Sequence, residues 1–328
     1  MTASKLPHKK NGESKIIRVE VYRPEYKPAW NSFVSRSKNG TFLFLRDYMD
    51  YHADRFLDHS LMFFNGTRLV ALLPANIEKT TLYSHEGLTF GGVVSDFEMS
   101  QELMLDIFLQ LLEHCKAQGY KEVVYKSTPY IFHSAPADED LYALYTHNAR
   151  LSARNSASCI CLPLNRKLSD SRKDNIRKAK KANLAVEESK DFASFMQIAK
   201  KTLGQRHRVS PVHSIKEMEL LASRFPNNIK LFVSHKNGSM LAGLIIYESP
   251  NVAHVQYAAN SQEGWRIGAQ DIVENYLIHD YYKNKKFFDF GISTEKQGRV
   301  LNLGLIKRKE GFGASSVMYD TYLMKVSS

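Results

Sequence analysis

One structural phrase is written twice along this chain, and a chain that repeats itself at a fixed interval folds as copies of one unit. In the first copy an apolar run over 61–64 leads into Asn65-Gly66, a dipeptide suited to a tight hairpin, and then into Leu69-Val70-Ala71-Leu72-Leu73. In the second, Leu231-Phe232-Val233 leads to Asn237-Gly238 and on to Leu241-Ala242-Gly243-Leu244-Ile245-Ile246. The two turns are 237 minus 65, or 172, residues apart. Each hairpin is followed by a strand candidate (88–94 and 252–259) and then a helix candidate (101–118 and 269–284). A β-rich run closes each copy, ending in Ser-Thr at Thr128 and Thr294, which are 294 minus 128, or 166, residues apart. The interval therefore drifts by only six residues over the unit. The competing explanation is two unrelated α+β domains that share a hairpin and a helix. Either way the fold class is α/β (α+β), with mixed sheets flanked by helices.

A length of 328 residues accommodates two domains, and 43% hydrophobic residues suffice for two cores. The expected boundaries are 1–15 as a disordered start, 16–168 as the first domain, 169–183 as a basic linker helix and 184–328 as the second domain. No stretch reaches the roughly 20 apolar residues that span a bilayer. Lys5, Lys9, Lys10 and Lys15 near the start have no apolar run behind them, so a soluble cytoplasmic protein is expected. Cys115, Cys159 and Cys161 make no disulfide framework, and Cys-x-Cys without a histidine cluster is a poor zinc site. Neither Cys159 nor Cys161 has a histidine partner in sequence, so no thiol nucleophile is expected. Asn39, Asn65 and Asn237 match the glycosylation pattern, but in a cytosolic chain Asn-Gly answers to turn geometry.

The 45 Lys+Arg exceed the 34 Asp+Glu by 11, which favours anionic partners: nucleic acid, coenzymes, phosphorylated sugars or a membrane face. The densest run is Arg172, Lys173, Arg177, Lys178, Lys180 and Lys181, with Ile176, Ala179 and Ala182 spaced as one helical face and Ser169 or Ser171 able to cap the start. It reads as a solvated linker helix or as an anion-binding wall to which Arg172, Arg177 and Lys178 contribute.

The run Ser171-Arg172-Lys173-Asp174-Asn175-Ile176-Arg177-Lys178-Ala179-Lys180-Lys181 resembles the segment that opens the second of two GNAT-type domains in FemAB/FemX-like acyltransferases. Phe288-Asp289-Phe290-Gly291, followed by Asn302-Leu303-Gly304-Leu305-Ile306-Lys307-Arg308-Lys309-Glu310-Gly311-Phe312-Gly313, is similar to that family's C-terminal signature. The resemblance implies two tandem GNAT-like (acyl-CoA N-acyltransferase) domains. It also implies transfer of an acetyl or aminoacyl group to an amine. The donor would be acetyl-CoA, another acyl-CoA or aminoacyl-tRNA, without a metal. The acceptor would be a small molecule, an amino sugar or a cell-envelope precursor.

Within that resemblance Lys309 falls at the family's lysine position, where a cation beside the acyl carbonyl would stabilise an oxyanion; a lysine closing a helix is the alternative. Arg308 replaces the phenylalanine that often precedes that lysine. Asp289 would orient an amine or cap nearby backbone. The loop with Gln262, Gly264, Arg266 and Gly268 has the glycines of a pyrophosphate loop but not the family's Arg/Gln-x-x-Gly-x-Gly/Ala spacing. Those four, with Asn302 and Arg308, are the expected donor-binding residues. The matching segment of the first copy, 91–98, has Asp96 and Glu98 and no arginine, which marks that copy as degenerate and substrate-shaping. Arg46, Tyr48 and His52 lie in a His/Asp-rich stretch lacking His-x-x-x-His spacing, so they are expected to face substrate and not a metal. A different reading is a non-catalytic protein that binds an anionic ligand between its domains.

Overall fold

The computed structural model describes residues 17–207 and 211–326; the segment 1–15, expected to be disordered, lies outside them. The first half runs β1 (Ile17–Val21), α1 (Lys27–Arg36), α2 (Arg46–Met49), β2 (Leu57–Asp58), β3 (Leu61–Asn65), β4 (Arg68–Leu73), β5 (Asn76–Glu78), β6 (Thr81–Tyr83), β7 (Val94–Ser95), α3 (Gln101–Ala117), β8 (Glu122–Lys126), α4 (Glu139–Thr146) and β9 (Arg150–Cys161). The second half runs α5 (Asp170–Lys181), β10 (Ala185–Ser189), α6 (Phe192–His207), α7 (Ile215–Arg224), β11 (Ile229–Lys236), β12 (Ser239–Glu248), β13 (Val252–Asn260), α8 (Gln262–Ile267) and α9 (Ala269–Tyr276). It finishes with β14 (Phe287–Ile292), β15 (Thr294–Glu295), β16 (Val300–Leu301), α10 (Leu303–Glu310) and β17 (Ser315–Lys325).

Local chemistry accounts for the main elements. Ser100 caps α3 by accepting from the Leu103 N–H, and Met104, Ile107, Phe108, Leu111 and Cys115 recur on its buried face. Ser214 and Glu217 form a reciprocal capping box on α7. Asn237 and Gly238 both take positive φ, +50° and +77°, as a hairpin turn matched to strand twist requires. Ser169 occupies the N-cap of α5 without a side-chain bond; its N–H instead donates to the Gly311 carbonyl.

An eleven-stranded sheet in the order β10-β11-β12-β13-β14-β9-β17-β8-β6-β5-β2 forms the frame, beside a four-stranded sheet β1-β3-β4-β7. At its centre β17 pairs with β9, while β9 also pairs with β14 and β17 with β8. The order β13, β14, β9, β17, β8, β6 reads alike from both ends, because β13–β14 and β6–β8 are each parallel and the three pairs between them antiparallel. The last described strand thus completes the first half's sheet, and β9 completes the second's.

The copies differ where the first is broken. Pro74, which lacks an N–H, separates β4 in the small sheet from β5 in the large one, whereas β12 runs unbroken for ten residues. The strand expected over 88–94 is not formed; only Val94–Ser95 pairs, and β6 takes the place beside β8. The cause is Gly91-Gly92: a Cβ on Gly91 would lie 1.9 Å from the Ser84 carbonyl oxygen, and Gly92 has φ +88°. The helix expected over 269–284 is α9, continued by a π-turn over Leu277–Tyr281. One apolar cluster joins the halves, with Phe42 packed 5.4 Å from both Phe225 and Tyr247.

Candidate functional site

Strands β13 and β14 pair through Val252–Phe287, Ala253–Phe288 and His254–Asp289, and then part. Two irregularities pry them open. On β13 the register against β12 skips Gln256, and on β14 the register against β9 breaks after Asp289, where Gly291 takes φ +70°. Among the described residues, the edge of β13 that faces β14 therefore has no ladder partner beyond His254. A cavity of about 400 Å³ lies in this gap. Its walls are His254, Val255 and Gln256 of β13, Phe290, Gly291 and Ile292 of β14, and Asn155, Tyr319, Asp320 and Thr321 of the central strands. Thr89, Phe90, Lys126 and Ser127 close it from the first half.

Asp289 sits beneath the gap, fully buried. Its Oδ2 accepts from His254 Nδ1 at 2.7 Å and from the Tyr319 hydroxyl at 2.6 Å, and its Oδ1 from the Gly291 N–H at 3.0 Å. Burial alone would raise the carboxyl, but these bonds outweigh it and hold Asp289 below its ordinary value. Burial and the adjacent Asp289 push the Tyr319 hydroxyl well above its ordinary value. With Nδ1–H given to the carboxylate, the other imidazole nitrogen of His254 is the basic one, and among the described residues no hydrogen bond engages it. An oriented imidazole on a buried carboxylate, next to free backbone amides, is equipped to take a proton and stabilise an oxyanion.

Lys309 lies on the last turn of α10 and donates from Nζ to the carbonyls of Gly291 and Ile292, each at 2.8 Å. It clamps the bent end of β14 and is not among the cavity walls. Burial pulls its ammonium down to about 8; Asp289 opposes that shift and Arg308 adds to it. Lys126, on the opposite side, is also lowered to about 8 by burial, against the pull of Glu86.

Of the residues expected to bind a donor, most have partners within the protein. Gly264 is packed so that a Cβ would meet Asn260 Oδ1 at 2.3 Å, and one on Gly268 would meet the Asn175 carbonyl of α5 at 2.2 Å. Close packing, against a side chain at Gly264 and against backbone at Gly268, accounts for both glycines. Gln262 and Arg266 are exposed on α8. Asn302 caps α10 through the Leu305 N–H and donates to Glu295. Arg308 makes a two-pronged pair with Glu274, at 3.0 and 2.5 Å, and Arg172 pairs with Asp271, so α5, α9 and α10 are joined by two buried ion pairs.

Arg177 pairs with Asp174 on the wet face of α5, where Lys178 is also exposed. Arg46 is buried, paired with Asp50 and Asp58, with its guanidinium 3.9 Å from the Tyr22 ring. Tyr48 is buried in the core between the halves, its hydroxyl 3.4 Å from that of Tyr247. His52 is buried and stacked on Tyr51, and among the described residues neither ring nitrogen has a hydrogen-bond partner. The structure therefore gathers Asp289 and Lys309 about the cavity and leaves Arg46, Tyr48 and His52 outside its walls. His254, Tyr319 and Lys126 were not foreseen from sequence. The available signal was a histidine interrupting the apolar run Val252-Ala253-His254-Val255. Among the described residues no group of three or more His, Cys, Asp or Glu side chains could hold a metal, and no helix is long and apolar enough to cross a membrane.

Residues 169–296 match the family described as Acetyltransferase (GNAT) domain. No curated protein matches the chain by sequence. Among solved structures, FemX superposes with a TM-score of 0.63 at 12% identity, over 92% of this chain and 96% of that one. L-PGS from Bacillus licheniformis gives 0.60 at 12% identity, over 94% of each chain. A tandem GNAT protein from the clavulanic acid biosynthesis pathway gives 0.56 at 10% identity, over 95% of this chain and 99% of that one. The shared feature is the fold: two GNAT-like units in tandem.

Proposed function

We propose that the chain is an N-acyltransferase whose reaction takes place in the gap between β13 and β14, with the second half providing the chemistry and the first half shaping the acceptor wall. The observation that carries this reading is the His254–Asp289 pair, 2.7 Å long, at the point where the two parallel strands part. The acceptor amine attacks the carbonyl carbon of the activated acyl group, and its N–H proton passes to the free nitrogen of His254. The carbonyl electrons move to oxygen, where the unpaired amides along the β13 edge stabilise the charge. Collapse restores the carbonyl and expels the leaving group, a thiolate for a CoA thioester or a ribose oxygen for an aminoacyl ester, which takes the proton back from the imidazolium. Asp289 holds the imidazole in one tautomer, and Tyr319 shares that carboxylate. Lys309 is a positioning residue that keeps the end of β14 splayed.

A GNAT domain implies an acyl-CoA donor. The aminoacyl-tRNA reading draws its support from α5, which exposes Lys173, Arg177, Lys178, Lys180 and Lys181 to solvent. Acceptors in the amino-sugar and cell-envelope precursor classes are what the motif resemblance to FemAB/FemX-like acyltransferases implies. The test is transfer of labelled acyl groups to a panel of amines, from acyl-CoA thioesters and separately from bulk aminoacyl-tRNA. Transfer from CoA with shallow salt dependence identifies the first donor, and transfer from tRNA that falls steeply with salt identifies the second. No transfer from either donor, with a ligand still raising the thermal midpoint, would replace the enzyme reading with a non-catalytic anion-binding one.

A further inference from the structure

We propose, building on the acyl-transfer reading of the cavity, that Lys126 selects the acceptor: the amine that reaches His254 also carries an anionic group, a carboxylate or a phosphate, which the Lys126 ammonium binds from the facing wall. Lys126 ends β8, and the sheet order sets it four strand positions from β13, a span of about 19 Å at the usual strand spacing. Both side chains line the same cavity, so a molecule held by both must be extended and carry a different group at each end.

The chemistry at the Lys126 end is specific. Its Nζ donates to the backbone carbonyls of Glu86 at 3.2 Å and Leu88 at 2.5 Å, which leaves one of three N–H donors unspent. Those two carbonyls fix the ammonium without neutralising it. The carboxylates nearby already have partners: Glu86, whose charge draws on Lys126, accepts from Asn76 Nδ2 at 3.0 Å, Asp320 receives Arg154 through two bonds of 2.8 and 2.7 Å, and Asp289 is taken by His254 and Tyr319. The cavity walls contain no other lysine or arginine among the described residues. A half-buried cation with a spare donor, in a cavity whose carboxylates are all engaged, favours an anion from the ligand. Burial already draws its pKa down to about 8, so an anion is attracted at neutral pH and progressively less above that value.

The experiment compares matched extended acceptors, each roughly 17 Å long when stretched, that differ only in the anion: pentaglycine against pentaglycine amide, and tetraglycyl-phosphoserine amide against tetraglycyl-serine amide. The wild type should prefer the anionic member of at least one pair by about tenfold or more in kcat/KM, as a charged hydrogen bond provides. The pair that shows the preference tells carboxylate from phosphate. In Lys126→Met the preference should fall toward unity through KM, and Lys126→Arg should retain it. Neutral peptides acylated as efficiently as their anionic counterparts, or a preference that survives in Lys126→Met, would overturn the inference. Thermal midpoints with the same four compounds repeat the comparison without turnover: the anionic amines should raise the wild type and not Lys126→Met. If no amine is acylated the acyl-transfer reading fails, and the midpoints alone decide whether Lys126 is an anion site.

Discussion

Arg308 and Glu274 allow the sharpest test of what the cations beside the site do. Glu274 is 1% exposed and accepts from both terminal nitrogens of Arg308 and from Gln270 Nε2, the last at 2.9 Å. Arg308→Met would leave a buried carboxylate without its cation, a loss of about 3–5 kcal/mol by analogy with other broken buried pairs. Replacing both partners with apolar residues of similar volume, Arg308→Met with Glu274→Leu, removes the stranded charge. The double variant should therefore recover most of that loss, giving a coupling energy of about 2 kcal/mol or more. Urea unfolding followed by circular dichroism, with slopes compared to confirm that the exposed surface is unchanged, measures all three variants. A single variant costing less than about 1 kcal/mol, or a double variant costing the sum of the singles, would refute the claim that Arg308 is a structural cation.

Asp140 is fully enclosed and its carboxyl is pushed up to about 7, chiefly by burial, although the Tyr125 hydroxyl donates to it at 2.5 Å. Because its folded value lies above the unfolded one, near 4, its contribution is complete below about pH 4 and is lost as pH rises through 7. Asp140→Asn should flatten the thermal midpoint between those limits, and an unchanged slope would contradict this. Gly268→Ala should lower the unfolding free energy measured in urea by at least about 1–2 kcal/mol, since φ is +76° and a Cβ would meet Asn175. Gly304→Ala, in α10 with nothing nearer than 3.7 Å, should instead be neutral or stabilising by up to about 1 kcal/mol. Lys309→Met should lower kcat by roughly a hundredfold through the displaced end of β14, while leaving overall folding intact by circular dichroism.

The repeat was legible because turn dipeptides and apolar runs are local signals: Asn65-Gly66 and Asn237-Gly238 each sit at a hairpin. The exchange of β9 and β17 between the halves was not, since an apolar run shows that a strand forms and not which strand it joins. Asp289 and Lys309 could be singled out from a motif. His254 and Tyr319 could not, because they reach Asp289 from 35 and 30 residues away. Arg172 and Arg308 looked like ligands for an anion because their charge is visible in sequence, whereas the burial of Asp271 and Glu274 on α9 is a property of packing. His52 and Tyr48 looked like pocket walls for a similar reason, but Tyr48 is buried between the halves and His52 against Tyr51, Phe56 and His85 of the first half.

The most direct test of the account is chemical rescue at His254. Transfer from the competent donor is measured for the wild type, His254→Ala and Asp289→Asn, with and without added imidazole. The account predicts that His254→Ala loses about a hundredfold or more in kcat and that imidazole restores part of it, while Asp289→Asn loses activity that imidazole does not restore. A His254→Ala enzyme that turns over at the wild-type rate would contradict the claim that the gap between β13 and β14 carries the chemistry.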